Sequence, residues 1–164
     1  MTKEDVIAQA RELRQNDKFE ESQELLLGLL EEHSDDPVVL FEVGGAYDVL
    51  DEPREAIPYY RKAIDAGLED SDLHECLVCL GACQRMIGKF ENAIETLEEA
   101  IEQFPDNNSS KVFLALTYYN DGQEDEAMKL LLNVLLTTTK DEDILEYADT
   151  LDYYKDNLDD IWDE

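Results

Sequence analysis

The amino-acid sequence predicts an all-α protein built from antiparallel helical hairpins. Apolar residues recur at steps of three and four over runs of about 12–15 residues, which is the spacing of one face of an α-helix. Only seven glycines and four prolines occur among the 164 residues. A small residue also recurs at Ser22, Ala56, Ala93 and Ala127, with separations of 34, 37 and 34 residues. A period of about 34 residues predicts a repeated helix–turn–helix unit.

This period divides one predicted domain, residues 1–164, into four hairpins and a C-terminal cap. The hairpins cover residues 3–36, 37–73, 74–107 and 108–141. The apolar faces of their helices are, in chain order, Val6/Ala10/Leu13, Leu25/Leu26/Leu29/Leu30, Leu40/Val43/Tyr47/Leu50, Ile57/Tyr60/Ala63/Ile64, Leu77/Leu80/Gly81, Ala93/Leu97/Ala100/Ile101, Leu114/Ala115/Tyr118 and Ala127/Leu131. One hairpin cannot bury its apolar face alone, so we expect the hairpins to stack. The recurring small residue allows paired helices to cross at about 8–10 Å.

Signals for helix ends lie between these faces. Asp36 before Pro37 predicts an N-cap followed by a proline in the first turn, where no amide hydrogen is needed. Gly88 and Gly122 are expected to be the left-handed residues of tight turns. Residues 106–108 offer caps for the helix that comes after them.

The end of the chain, residues 142–164, does not repeat and is predicted to be a capping helix with an acidic tail. Thr139 and Glu142 fit a capping box, and one apolar face continues to Tyr154. The preceding residues 130–136 are apolar on nearly all sides and need a cover on their far side.

The four copies resemble tetratricopeptide repeats. The segments that carry the resemblance are Ala56-Ile57-Pro58-Tyr59-Tyr60, Gly67-Leu68, Leu80-Gly81, Gly88-Lys89-Phe90-Glu91-Asn92-Ala93 and Val112-Phe113-Leu114-Ala115-Leu116. The chain is similar in particular to a group of short bacterial tetratricopeptide proteins. The resemblance implies a right-handed α–α superhelix (a solenoid) with a concave groove for peptides or helices and without catalytic chemistry. Pro58 inside a helix and the longer junction at residues 67–72 depart from the family pattern.

In this family the first helix of each repeat lines the concave groove. The positions expected to point inward are Ile7, Arg11, Arg14, Phe41, Gly45, Asp48, Val78, Ala82, Arg85, Met86, Val112, Leu116, Tyr119 and Asn120. Apolar or small residues stand where the family's carboxylate clamp uses Lys and Asn, so the clamp is absent. The remaining apolar strip with three arginines suits a peptide or helix that has apolar anchors and acidic groups. The alternative is that several of these residues belong to the core.

Net charge excludes several classes of partner. The chain has 13 basic and 42 acidic residues, which gives a net charge of −29. Such a charge repels phosphates, so we expect neither nucleic acid nor a membrane as a partner. The acidic residues are expected to form a solvated outer face. The alternative is that they attract a basic protein, in the extreme case as a decoy that mimics nucleic acid.

Cysteine usage predicts a reducing location. The three cysteines and the acidic start of the chain indicate free thiols in the cytoplasm. His74, Cys76, Cys79 and Cys83 form the one metal-like spacing, but cysteines at these helical positions are expected to be small core residues, with a metal or redox site as the alternative. Catalytic motifs and phosphate-binding glycine loops are absent, so no cofactor and no enzymatic activity are expected.

The sequence therefore predicts a cytoplasmic, non-enzymatic interaction module or scaffold. A second hypothesis concerns the tail, where Leu158, Ile161 and Trp162 would share a helical face. We expect this face to extend the cap against the fourth hairpin. The alternative is a self-assembling structural protein, a homodimer in which the tail docks into the groove of a second copy near Arg11, Arg14 and Arg85 with Trp162 as the anchor.

Overall fold

The computed structural model describes residues 1–162, and this part of the chain forms ten α-helices and no strand. The predicted all-α fold class is confirmed. The helices are, in chain order, α1 Lys3–Gln15, α2 Phe19–Glu32, α3 Pro37–Asp48, α4 Pro53–Asp65, α5 Asp70–Met86, α6 Phe90–Gln103, α7 Ser109–Asn120, α8 Glu124–Thr138, α9 Glu142–Leu145 and α10 Ala148–Tyr154. None of these helices combines the length and the apolar character needed to cross a membrane.

The helices group into two compact units. Unit 1 is Met1–Lys89 and contains α1 to α5, and unit 2 is Phe90–Glu164 and contains α6 to α10. Within unit 1 each helix packs on the next one along the chain. Within unit 2, α7 packs between α6 and α8, and α10 packs on α8. That residues 1–164 form a single domain stays a prediction.

Two of the predicted signals for helix ends are confirmed. The carboxylate of Asp36 accepts hydrogen bonds from the amides of Val38 and Val39, at 2.9 Å and 3.1 Å, and so caps α3. Gly88 and Gly122 both have a φ of 79°, a conformation that is strained for residues with a Cβ. These two glycines therefore allow the tight turns after α5 and α7.

Small residues bring the helices of unit 1 together. Ser22 on α2 is fully buried, and its hydroxyl donates a hydrogen bond of 2.8 Å to the carbonyl oxygen of Ala10 on α1. Gly44 on α3 faces the ring of Tyr60 on α4, and a Cβ at Gly44 would lie 2.6 Å from that ring. The crossing of α3 and α4 therefore requires a glycine. Two hydrophobic clusters result, one joining α1, α2 and α3 and the other joining α3, α4 and α5.

The C-terminal region differs from its prediction. Instead of one helix from Thr139 to Tyr154, the structure has the short helices α9 and α10. The amide of Tyr147 bonds to the carbonyl of Ile144, three residues back, and this tighter turn ends α9. The N-cap of α9 is Asp141 rather than Thr139, because the carboxylate of Asp141 accepts a hydrogen bond from the amide of Asp143 in the first turn of the helix.

Candidate functional site

Unit 1 contains a cavity of about 480 Å³ between α1, α3 and α5, which we call the unit 1 cavity. Five of the residues predicted to point into the groove line it. The lining residues are Arg11, Arg14, Gln15, Phe41, Glu42, Gly45, Asp48, Val49, Tyr60, Asp72, Glu75 and Cys79. Their side chains come from hairpins that are distant in sequence, so packing of α1 and α5 on the hairpin of α3 and α4 creates the site.

One wall of the cavity is an ion-pair network around the buried carboxylate of Glu42. Arg11 donates to Glu42 Oε1 through Nε at 2.8 Å and also through Nη2. Arg14 Nη2 lies 3.7 Å from Glu42 Oε2. The hydrogen bonds to Glu42 raise the pKa of Arg11. Gly45 leaves room for this arrangement, because a Cβ there would lie 3.3 Å from Arg14 Nη1.

Another part of the lining combines buried neutral groups with carboxylates. Tyr60 donates a hydrogen bond of 2.8 Å from its hydroxyl to Asp48 Oδ2, and burial raises the pKa of Tyr60. Burial raises the pKa of Cys79 to about 12, and the nearby charges of Asp48 and Glu75 act in the same direction. The thiol of Cys79 is therefore protonated at neutral pH and is a poor nucleophile.

The formal charge of the cavity bears on the chemistry of a partner. The lining has two arginines and four carboxylates, so its formal charge is 2 − 4 = −2. Arg11 and Arg14 were expected to meet acidic groups of a partner. Arg11 is hydrogen-bonded to Glu42, whereas Arg14 Nη2 lies 3.7 Å from Glu42 Oε2, and Arg14 Nε and Nη2 are buried without a hydrogen-bond partner. The carboxylates of Asp72 and Glu75 outnumber the positive charge that remains, so the cavity favours a cation over an anion.

The other predicted groove residues lie elsewhere. Ile7 is buried in the cluster of α1, α2 and α3 and is not available to a partner, so for this residue the core alternative is correct. Phe41 lines the cavity but is also a member of the second core cluster. The remaining residues do not line the unit 1 cavity: Val78, Ala82 and Arg85 are half-buried on α5, Met86 is exposed there, and Val112, Leu116, Tyr119 and Asn120 are exposed on α7 in unit 2.

Sequence reasoning missed Glu42, Tyr60, Asp72 and Glu75 as members of this site. A signal for Glu42 was present, because it is the one charged residue between Pro37 and Tyr47, a run that is otherwise apolar or glycine. A charge in such a run needs a partner, and Arg11 and Arg14 were already expected to point into the same groove as residues of that helix. Tyr60 was assigned only to the core, and its hydroxyl reaches the cavity because Asp48 accepts from it.

The cysteine motif lies in the core of unit 1. Cys76 and Cys83 are fully buried in the cluster of α3, α4 and α5, and Cys76 Sγ donates to the carbonyl oxygen of Tyr60 at 3.5 Å. Burial raises the pKa of both thiols. Within residues 1–162, no group of three or more His, Cys, Asp or Glu side chains is placed to hold a metal ion, and this includes His74 and the three cysteines.

The tail does not form the predicted helical face. The chain is not helical after α10, so Leu158, Ile161 and Trp162 do not share a face, and all three are exposed. The indole nitrogen of Trp162 lies 3.4 Å from the hydroxyl of Tyr154. Asn157 ends the helical region by donating from its side chain to the carbonyl of Tyr153.

Comparison with known proteins identifies the repeat. Residues 37–156 match a family model described as tetratrico peptide repeat. The structure of YrrB, described as a TPR protein with an unusual peptide-binding site, is 22% identical over 94% of this chain and 78% of that chain, with a TM-score of 0.70. MamA (residues 41 to the end) from Desulfovibrio magneticus RS-1 is 16% identical over 93% of this chain and 84% of that one, with a TM-score of 0.73. A tetratricopeptide repeat protein from Parabacteroides merdae is 17% identical over 93% and 58%, with a TM-score of 0.74.

Proposed function

The chain belongs to the tetratricopeptide repeat family, and from this premise we propose that it is a non-enzymatic scaffold that binds a partner protein through the unit 1 cavity. Proteins of this family are in general interaction modules for other proteins. The observation that carries the proposal is a cavity lined by the buried ring of Phe41 and by the more exposed carboxylates of Asp72 and Glu75, which form its acidic rim. The cytoplasmic location expected from the free thiols stays part of this proposal.

The charges of the cavity indicate the chemistry of the partner. Glu42 neutralises part of the positive charge of Arg11 and Arg14. Asp72 and Glu75 act on the charge of Arg11 from a longer distance, and neither forms an ion pair in the described part of the chain. A Lys or Arg side chain of an extended peptide or helix would bring the missing positive charge, and its aliphatic stem would pack on Phe41. We therefore propose a partner segment with a basic residue beside an apolar anchor.

The other predicted groove residues stay proposed contacts for a partner, each within its own unit. On α5 these are Val78, Ala82, Arg85 and Met86, and in unit 2 they are Val112, Leu116, Tyr119 and Asn120 on α7. The cavity disfavours the second hypothesis, self-docking of the tail, because the tail is as acidic as the rim it would have to enter. Self-assembly through this cavity is therefore not our proposal.

Selection of peptides from a random phage-displayed library on the full chain tests the proposal. We expect the selected peptides to carry Lys or Arg beside an apolar residue. The double variant Asp72→Lys/Glu75→Lys is expected to bind a selected peptide about tenfold more weakly, which corresponds to about 1.4 kcal/mol. Fluorescence anisotropy at about 150 mM salt measures this, because distant charges are screened there over about 8 Å.

The matched control is Glu24→Lys/Glu31→Lys, which makes the same change in net charge on exposed positions of α2. This control is expected to change affinity by less than about twofold. Phe41 is not a suitable test position, because its burial in the core makes a substitution there a test of stability. Selection of acidic peptides, or an equal loss in both variants, would contradict the proposal.

A further inference from the structure

Exposed apolar side chains concentrate in unit 2. Apart from Met1 and Met86, every large hydrophobic residue that is exposed in the described chain belongs to this unit. Three of them lie on α8 with the spacing i, i+3 and i+7, which places them on one face of the helix. These residues, Met128, Leu131 and Leu135, are called the α8 strip. Their exposed fractions are 47%, 37% and 39%.

The repeat itself shows that this strip is an uncovered stacking surface. The residue four positions after the recurring small residue is Leu26 in the first hairpin, Tyr60 in the second, Leu97 in the third and Leu131 in the fourth. The first three are 0%, 1% and 0% exposed, whereas Leu131 is 37% exposed. The residue type does not explain the difference, because three of the four are leucines.

The neighbouring helix explains why Leu131 is more exposed than the three equivalent residues. The first helix of the next hairpin packs on each of the first three positions: α3 joins the cluster that contains Leu26, α5 joins the cluster that contains Tyr60, and α7 packs on α6, which carries Leu97. After α8 no helix takes that place among residues 1–162. The helix α10 does contact α8, and next to it Lys129 Nζ pairs with Asp156 at 2.8 Å. Lys129 is about 160° around the helix from Leu131 and about 100° or more from Met128 and Leu135, so this contact leaves the α8 strip open.

The equivalence of the hairpins also defines the shape of the missing element. Every element that covers the equivalent position in this chain is an α-helix, and the α8 strip spans two helical turns, or about 10 Å. An occupant that reproduces these contacts is a helix with an apolar face of spacing three and four.

The charges around the strip define the rest of its chemistry. Glu124 precedes the strip on the same face of α8, and the residues after α8 are strongly acidic. Residues 141–162 contain nine Asp or Glu residues, and Lys155 is the one basic residue among them. A helix that covers the strip is therefore favoured when basic residues flank its apolar face. A second copy of this chain has a net charge of −29, so the acidic residues around the strip would repel it.

We infer that the α8 strip is the docking site for a basic amphipathic helix of another protein. The helix takes the position that the first helix of a further hairpin would occupy, with its apolar face on Met128, Leu131 and Leu135. The inference depends on the repeat architecture and on unit 2, and it does not depend on the unit 1 cavity.

A designed peptide tests the inference on the full chain. The probe has about 18 residues, enough to form a helix, with Leu at helical spacing and Lys at the remaining positions. The comparison probe has Glu in place of every Lys. We expect the Lys peptide to bind at about 150 mM salt and to change the fluorescence of Trp162, the single tryptophan, and we expect no binding of the Glu peptide.

Two double variants of unit 2 locate the binding site. Leu131→Ser/Leu135→Ser removes the strip, and we expect it to weaken binding of the Lys peptide at least about tenfold. The matched control is Leu145→Ser/Leu158→Ser, which makes the same chemical change in unit 2 at residues that are 40% and 37% exposed. We expect this control to change affinity less than about twofold. Both unit 2 variants are made in the Asp72→Lys/Glu75→Lys background, so that binding of the Lys peptide at the unit 1 cavity does not contribute. Circular dichroism confirms that each variant is folded.

Three results would overturn the inference. They are failure of the Lys peptide to bind, binding that the two unit 2 variants weaken equally, and binding of the Glu peptide as tightly as the Lys peptide. Light scattering adds a further check on the occupant. If the full chain is a dimer that Leu131→Ser/Leu135→Ser converts to a monomer, the strip binds a second copy and the inference is wrong.

Discussion

Unit 1 and unit 2 are built from the same repeat but bury their helices to different extents. Leu26 in unit 1 and Leu131 in unit 2 are the same residue type at the same position of the repeat, and only Leu26 is fully buried. The difference lies in the next helix along the chain, since α3 covers α2 whereas no equivalent helix covers α8 within the described residues. In a stacked repeat the burial of a side chain is therefore decided by the neighbouring hairpin.

The largest expected effect separates these two leucines. Leu26→Ala is expected to lower the free energy of unfolding by about 2–5 kcal/mol, because it leaves a cavity in a closed core. Leu131→Ala is expected to lower it by about 1 kcal/mol or less, because the side chain is already in contact with water. Urea denaturation monitored by circular dichroism measures both variants. Equal decreases in the free energy of unfolding would show that Leu131 is buried as completely as Leu26.

A smaller effect tests the close helix crossing in unit 1. Gly44→Ala is expected to lower the free energy of unfolding by about 1–3 kcal/mol, because the new Cβ overlaps the Tyr60 ring. Gly28→Ala in α2 is the matched control, since its Cβ would meet no atom within 4 Å. That control is expected to stabilise the protein by about 0.5–1 kcal/mol, as alanine does in place of glycine within helices. A gain in both variants would contradict the described crossing. Thermal denaturation distinguishes the two cases.

The smallest expected effect compares two helix caps. Asp36 caps α3 in unit 1 through its side chain, whereas Asn108 precedes α7 in unit 2 without a capping bond from its side chain. Asp36→Ala is expected to lower the free energy of unfolding by about 1 kcal/mol. Asn108→Ala is expected to lower it by about 0.5 kcal/mol or less. The melting temperatures of the two variants measure the difference, and an equal decrease would contradict the assigned caps.

The contribution of Asp36 is also expected to depend on pH. Burial opposes its charge, but the hydrogen bonds from Lys3 and from the amides of Val39 and Val38 are stronger in sum and hold the pKa of Asp36 below 3.8. A lowered pKa stabilises the folded state above pH 3.8, and this stabilisation is lost as the pH falls through the folded pKa. Asp36→Asn, which keeps a capping oxygen, is therefore expected to lose its difference from the wild type at low pH. A difference that is constant with pH would contradict the ion pair.

Much of the fold could be predicted because its signals are local. The periodic apolar faces, Asp36 before Pro37 and the glycines at positions 88 and 122 each determine a structure within one turn of the chain. The same signals indicated the family, since small residues at a fixed period are required for close stacking. The break between α9 and α10 was not predicted, because the apolar pattern there fits one helix as well as two.

The candidate site could be predicted only in part, because its chemistry depends on contacts between hairpins. Arg11 and Arg14 line the unit 1 cavity, but their interaction with Glu42 joins residues about 30 positions apart, and it is the reason why we propose a basic rather than an acidic partner segment. The exposure of Leu131 likewise depends on contacts between hairpins. Its sequence environment is that of a buried position, and only the absence of a covering helix among the described residues leaves it open.

Accessibility of individual leucine methyl groups tests the central difference between the two units most directly. The measurement is methyl NMR of the full chain with a soluble paramagnetic gadolinium chelate, which broadens the signals of methyl groups that contact solvent. We expect strong broadening for Leu131 and Leu135 and little for Leu26 and Leu97. Equal protection of all four leucines would show that the stacking face of α8 is already covered, and would contradict the account.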